Sequence, residues 1–460
     1  MILLIQPLSR ERGKLIFPPL GLMAVAAIPH SRGMDVQILD SNVMSKEDIK
    51  ERIQTAKPDL VGFTSFTGPM LKSALELSHF VKRHTGARVV WGGVHTSILP
   101  EQTLRNDCID IAVLFEGEQT FMDLIEHMDT PEKVPGIMFK RDGEIIATPR
   151  RGLIPDLGVL PPLPWPLVDA EKYVIPWAQA KRTLPIITSR GCPFGCSFCY
   201  NQVFNEQKWR GFPLERIKEE INYVQDTYKL DGLRLDASDQ FIGPGKQGLA
   251  SAMEIVKHAG QRNLKWAAQV RTDQMDRDVL REFADNGCNY IFYGIETGSE
   301  RILKQLNKKV SLDNIREVVA MTHDIGIKSA AGVMYDLPGE TMDDFRQTVR
   351  LIKKLSILVR FSAVQPYPGT QIYDYARENN RVHFPDDTLG WTHFDYDNPQ
   401  GLSEIPDVKK KAPMWNFKYN YVHNLKVSLK RRDFFFINTM GKSFLEYYLK
   451  YRRNTNELNY

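Results

Sequence analysis

The sequence predicts an α/β protein: an N-terminal doubly wound, Rossmann-like parallel sheet, then a partial TIM-like barrel of six βα units, then a mainly helical C-terminal region. Three observations predict it. Short β-branched strands alternate with amphipathic helical stretches up to about residue 128, a proline-dense stretch breaks that rhythm, and a second alternation begins near Leu184. With 460 residues, 42% of them hydrophobic, the chain is long enough for two or three domains, each burying its own core.

In residues 1–128 the expected strands are Ile2–Ile5, Val36–Leu39, Leu60–Phe63, Val89–Trp91 and Ile111–Phe115, with helical periodicity between them, as at Met70–Arg83. Residues 129–183 begin with a hairpin around Arg141-Asp-Gly143. They continue through Leu160-Pro-Pro-Leu-Pro-Trp-Pro166, whose prolines exclude helix and central strand and leave an extended connector. Over 184–400 the strands are Leu184–Thr188, Gly232–Leu235, Lys265–Val270, Tyr290–Ile295, Ala330–Met334 and Phe361–Gln365, so chemistry is expected at their C-terminal ends. Residues 401–460 interleave Lys409-Lys-Lys411, Lys430-Arg-Arg432 and Arg452-Arg453 with Trp415, Phe417, Tyr419, Tyr421, Phe434-Phe-Phe436 and Tyr447-Tyr448. About a dozen basic residues against about five acidic ones suit either peripheral contact with an anionic membrane or lipid-like substrate, or helices that pack their rings on the barrel.

A formal net charge of +4, from 60 basic and 56 acidic residues, is too balanced to imply a nucleic-acid partner. Met1-Ile-Leu-Leu-Ile-Gln-Pro7 reads as a first strand rather than a signal peptide. No apolar run approaches the roughly 20 residues of a spanning helix. Of five cysteines, Cys192, Cys196 and Cys199 lie together, which reads as a metal site in a reducing cytoplasm and not as a disulfide framework.

Cys192-Pro-Phe-Gly-Cys196-Ser-Phe-Cys199 follows the strand Leu184–Thr188. A 4Fe-4S cube needs one ligand per iron, so a loop that supplies three sulfurs leaves one iron open. Cys108 and Cys288 stand in helical contexts and read as small buried hydrophobes. A zinc site would want a further ligand, and no histidine lies in or near the loop.

This C-x3-C-x2-C pattern, with Phe198 before the last cysteine, resembles the radical S-adenosylmethionine (SAM) superfamily. The resemblance implies that SAM's amino and carboxylate groups chelate the open iron. An electron from a reductase, flavodoxin or ferredoxin then splits SAM into methionine and a 5′-deoxyadenosyl radical. Later strand ends match in order. Leu235-Asp-Ala-Ser-Asp-Gln-Phe241 implies Asp239, with Asp236, as acceptors from SAM's ammonium. Gln269-Val-Arg271 implies Arg271 as a carboxylate fork, the plainer reading being a surface ion pair. Gly294-Ile-Glu296-Thr-Gly-Ser299 implies Glu296 near SAM's polar groups, the plainer reading being a helix-capping turn. Asp336-Leu-Pro-Gly-Glu340 and Gln365-Pro-Tyr-Pro-Gly-Thr370 read as barrel-rim turns.

In the first alternation, Thr64-Ser65-Phe-Thr-Gly68, Gly92-Gly93-Val94-His95 and Glu116-Gly117-Glu118 end three strands whose loops line one crevice in a doubly wound fold. Together with Pro18-Pro19-Leu20-Gly21-Leu22, and directly before such a core, they are similar to the cobalamin-binding domain of the cobalamin-dependent radical SAM class. That resemblance covers roughly residues 1–375. It implies cobalamin on these loops. The D-x-H-x-x-G motif that brings a histidine to cobalt elsewhere is absent, since His30-Ser-Arg-Gly33 lacks the aspartate, so a lower face without histidine is expected. His95 then approaches the corrin edge or caps a helix. Such enzymes most often resemble methylases, which implies methylation of an unactivated carbon on a small-molecule or lipid-like substrate. A non-methylating cyclase or ring-rearranging enzyme is the alternative, and a cobalamin sensor with a structural cluster a more distant one.

Overall fold

A computed structural model describes residues 1–9, 17–235, 237, 239–392 and 401–433. The chain forms two compact units. The first holds Met1–Val174, Val203–Glu220 and a short segment from Phe384, and the second holds Ile175–Gln202, Ile221–His383 and the C-terminal region.

In the first unit, β1 (Ile2–Gln6), β2 (Val36–Asp40), β3 (Leu60–Thr64), β4 (Arg88–Gly92) and β5 (Ile111–Val113) are parallel. The antiparallel pair β6 (Ile137–Arg141) and β7 (Glu144–Ala147) extends this sheet, in the order β2-β1-β3-β4-β5-β6-β7. Leu3, Leu4, Ile5, Val61, Phe63, Val89, Val90 and Trp91 are buried, as near-continuous apolar runs in a sheet covered on both faces must be. The order reverses between β1 and β3, and in open α/β sheets the ligand crevice lies at such a switch point, beyond the strands' C-terminal ends.

The β6–β7 hairpin turns at Asp142 (φ 52°) and Gly143 (φ 83°), the two left-handed positions of a tight hairpin. β5 stops at Val113, short of the expected Phe115, because Phe115 adopts φ 61° and leaves the ladder. The proline-rich stretch is stapled down rather than free. Trp165 is buried and donates to Glu220 (3.1 Å), and Arg216 donates to the carbonyls of Leu157, Leu160 and Pro161.

In the second unit, β8 (Ile175–Trp177) pairs antiparallel with β9 (Ala180–Pro185). β9, β10 (Gly232–Leu235), β11 (Lys265–Val270), β12 (Cys288–Glu296), β13 (Lys328–Tyr335) and β14 (Leu358–Ala363) then run parallel in sequence order, which is a half-barrel of six consecutive strands. Cys288 opens β12 instead of standing in a helix: the helix Arg277–Asp285 ends at Asn286, and Gly287 (φ 93°) turns the chain into the strand. Cys108 lies in a loop, and both thiols are buried.

The edge strand β14 would expose unpaired backbone groups. Two asparagines of the C-terminal helical segment cover them. Asn420 accepts from Phe361 N (2.7 Å) and donates to Phe361 O (2.8 Å), and Asn424 does the same for Val359 (2.8 and 2.7 Å). Nearby, Trp415 stacks on Phe345 (4.0 Å between centroids) and Tyr419 packs against Phe361. These rings face the barrel. Phe434-Phe-Phe436, Tyr447-Tyr448 and Arg452-Arg453 lie outside the described residues. Among the described residues no helix is long and apolar enough to cross a membrane. Asn424→Ala, which strips two bonds from a buried strand edge, is expected to destabilise the second unit by about 2 kcal/mol, read as a lower midpoint in denaturant unfolding.

Candidate functional site

The chain leaves β9 into the loop that carries the three cysteines, and other strand ends hold that loop in place. Gly191 N donates to Asp239 Oδ2 (2.9 Å) and the Tyr200 hydroxyl to Asp239 Oδ1 (3.0 Å), while the Ser189 hydroxyl donates to Gln240 O (2.7 Å). Ser197 is fixed on both sides, its N donating to Leu306 O (3.0 Å) and its O accepting from Ile372 N (3.3 Å). Cys196 is buried, and Cys192 and Cys199 are partly so. Burial pushes the Cys199 thiol up to about 12 and raises that of Cys192. Only a positive centre bound at the sulfurs would make thiolates the stable form there. Among the described residues no three His, Cys, Asp or Glu side chains converge on one point, as a single-ion site would require. A four-iron cube asks instead for one sulfur on each of three irons, and the donor set fits that.

Arg271 and Glu296 end the neighbouring strands β11 and β12. Arg271 is buried, not a surface ion pair. It forms a bidentate pair with Asp273 (2.9 and 2.8 Å), donates from Nη2 to Lys308 O (2.7 Å), and lies over the Phe194 ring of the cysteine loop at 3.7 Å. Nη1 is the nitrogen these bonds leave unused. Glu296 sits at a bulge in the β12–β13 pairing with φ 67°, a strained conformation for a non-glycine residue. The bulge aims its carboxylate at Lys308 Nζ (2.7 Å), with both groups buried. A Cβ at Gly294 would come within 2.6 Å of Glu296 Oε1 and 2.8 Å of Lys308 Nζ, so those two charged tips would have to shift to admit it. The capping turn exists next door: Ser299, not Glu296, caps the helix Glu300–Gln305. Phe198 is half-buried, and Asp236 lies outside the described residues.

In the first unit the loops after β3, β4 and β5 are stitched together. The Ser65 hydroxyl donates to Gly92 O (2.7 Å) and meets the Thr96 hydroxyl (2.7 Å), and Ser97 Oγ links Gly93 O to Phe115 N (2.8 Å each). Gly93, at φ 92°, is demanded by this stitching, since a Cβ would sit 2.7 Å from Ser65 O. Thr64, Gly92 and Val94 remain partly exposed, and Pro19, Leu20 and an exposed Gly21 open the helix Leu20–Ser31. Glu116 is buried, accepting from Arg210 Nη1 (2.8 Å) and Ile154 N (2.7 Å), and Gly117 and Glu118 start the helix Glu118–Glu126. His95 is fully buried, with Nδ1 3.0 Å from the Thr67 hydroxyl and its ring edge-on to Trp391. Burial holds its pKa down to about 4, so the imidazole is neutral, and Nε2 has no hydrogen-bond partner. An unmet buried nitrogen costs about 1–3 kcal/mol; the partly exposed strand-end residues Thr64, Gly92 and Val94 are the surface that a cofactor edged with amides, as cobalamin is, fits.

Asn307, Lys308, Arg210 and Trp391 carry no motif, and the sequence did not mark them. Lys308 lies in Lys304-Gln-Leu-Asn-Lys-Lys309, which reads as a solvated basic face.

Residues 11–125 match the B12 binding domain family, and residues 186–352 match the radical SAM superfamily. The chain is a B12-binding radical SAM enzyme. The two family matches name its cofactors as B12 and SAM. It is 29% identical to an uncharacterized methyltransferase of Pyrococcus horikoshii, over 85% of this chain and 86% of that one. It is 24% identical to the anaerobic magnesium-protoporphyrin IX monomethyl ester cyclase of Rubrivivax gelatinosus, over 97% and 78%. Its fold is similar to that of a radical SAM methyltransferase of Kitasatospora setae, TsrM, solved with cobalamin and a 4Fe-4S cluster. There the TM-score is 0.70 at 17% identity, covering 93% and 88% of the two chains.

The rim turn after β13 holds a second buried carboxyl. Asp336 (φ 62°) accepts from the backbone and hydroxyl of Ser403 (2.9 Å each), and burial raises Glu340 to about 8. A carboxyl raised on folding keeps its proton when the unfolded chain has lost it, so its contribution to stability fades as pH climbs from near 4.5 to 8. Melting temperature is therefore expected to fall over that range, and Glu340→Gln to flatten the fall and melt higher than the parent at pH 8.

Proposed function

We propose that this enzyme transfers a methyl group to an unactivated carbon of a small-molecule or lipid-like substrate, with cobalamin as methyl carrier and a reductase, flavodoxin or ferredoxin as electron donor. When bound, the cofactors supply the electron, the radical and the methyl group; the protein's own part is to bind, orient and exclude water. Cys192, Cys196 and Cys199 hold three irons, with Phe198 beside them. Arg271, through Nη1, receives SAM's carboxylate, Asp239 with Asp236 accepts from its ammonium, and Glu296 lies near its polar groups. Pro19, Leu20, Gly21, Thr64, Ser65, Gly92, Gly93, Val94, His95, Glu116, Gly117 and Glu118 form the cobalamin side.

The observation that carries the reading is the pairing of the two domains in one chain along most of a relative named as a methyltransferase. A second reading, radical ring closure without methylation, is favoured by the cyclase that matches along 97% of the chain. Product analysis separates the two. Anaerobically reconstituted enzyme given SAM, reductant and a candidate substrate pool is expected to release S-adenosylhomocysteine and deoxyadenosine together, in about equal amounts for a two-SAM methylation. Deoxyadenosine alone would favour the cyclase. Cys196→Ala is expected to release no deoxyadenosine above background.

A further inference from the structure

One turn of the second unit bonds to the cysteine loop, to Arg271 and to Glu296, yet belongs to no motif. It is Leu306-Asn307-Lys308, directly after the helix Glu300–Gln305. Leu306 O accepts from Ser197 N (3.0 Å), and Asn307 Nδ2 donates to Gly195 O (2.7 Å). These are the two peptide groups on either side of Cys196, so the turn grips the backbone that aims the middle sulfur. Lys308 O accepts from Arg271 Nη2 (2.7 Å), and Lys308 Nζ pairs with Glu296 Oε1 (2.7 Å).

The turn is built for this at a cost. Asn307 (φ 53°) and Lys309 (φ 55°) are both left-handed, which asparagine tolerates and lysine seldom adopts. The Lys308 side chain is only 7% exposed, a poor place for an ammonium unless its partner is worth the desolvation. Gly294 leaves the space the pair occupies. Surface lysines do none of this.

Resting on the reading that the cysteine loop holds the cluster and that Arg271 and Glu296 hold SAM, we propose that this turn is a shared brace. Asn307 positions the cluster loop, Lys308 positions Glu296 for SAM, and the Lys308 carbonyl orients Arg271. Both are positioning residues: neither needs to touch the reacting atoms. The residues that support metal or substrate ligands typically cost 10–100-fold in affinity or activity when removed.

The test uses the full chain reconstituted with iron and sulfide, and reads binding and spectra rather than turnover. Asn307→Gly keeps the left-handed backbone and removes the amide. It is expected to lose iron to a chelator about 10-fold faster than the parent and to show a shifted EPR spectrum of the reduced cluster before SAM is added. Lys308→Met is expected to keep parent iron content and the parent SAM-free spectrum, while its SAM dissociation constant rises about 10–100-fold. Lys308→Arg, which restores the cation, is expected to recover to within about 3-fold of the parent. Parent-like SAM affinity in Lys308→Met, or parent-like iron retention and spectrum in Asn307→Gly, would overturn the brace. A Lys308→Met that loses iron together with SAM binding would overturn the division of labour, with Lys308→Arg showing whether the charge or mere folding is at stake. If the parent itself takes up no iron, or its spectrum ignores SAM, the reading beneath the brace fails, and the brace with it.

Discussion

Three sulfurs cannot saturate a four-iron cube. On the proposed reading, a loop that offers only Cys192, Cys196 and Cys199 would leave one iron to an exchangeable ligand, and contacts from several strand ends of the second unit converge on that loop. The constraint is local in sequence but not in space. Eight residues provide the thiols, yet the loop is held by groups from β10 onward: Asp239, Leu306, Asn307 and Ile372 all bond to it, and Arg271 lies on its Phe194 ring. A half-barrel with strands in sequence order brings such groups together, because each strand delivers its terminal residue to the same rim.

The rim is also where the backbone is strained. Glu296 and Asp336 take left-handed conformations at the ends of β12 and β13, and Asn307 and Lys309 do so in the turn between those strands. Such residues persist only where surrounding contacts over-determine them. Here the contacts are identifiable: Lys308 for Glu296, and Ser403 for Asp336. The two units solve their polar problems differently. The first satisfies most of the polar groups of its strand-end loops internally, through Ser65, Ser97 and Arg210, and leaves His95 Nε2 unmet. The second concentrates charge at one rim, where buried Arg271, Glu296 and Lys308 form a continuous set with an exposed Asp273.

Much of this was legible in the sequence because parallel strands buried on both faces read as unbroken apolar runs. Lys265–Val270 and Gly232–Leu235 are read to the residue, and the hairpin at Asp142-Gly143 follows from its turn chemistry. The misreadings sit where backbone geometry overrules composition. Phe115 looks like strand but turns left-handed, and Cys288 looks helical until Gly287 redirects the chain. The short strand Ile175–Trp177 hides in a proline-rich setting that argues against strand. At the site, cysteine spacing and strand-end carboxylates are visible because the chemistry restricts residue type. Asn307 and Lys308 are not, since an amide and an ammonium in a basic stretch are the commonest of surface residues. Their role exists only through partners 12 to 112 positions away.

The central claim is that one iron is open and that SAM occupies it. Mössbauer spectroscopy of the chain reconstituted with 57Fe, recorded with and without SAM, tests it most directly. The account predicts that SAM shifts one iron in four to parameters of higher coordination and leaves the other three unchanged. A spectrum in which all four irons ignore SAM, in protein shown to carry a full cluster, would contradict it.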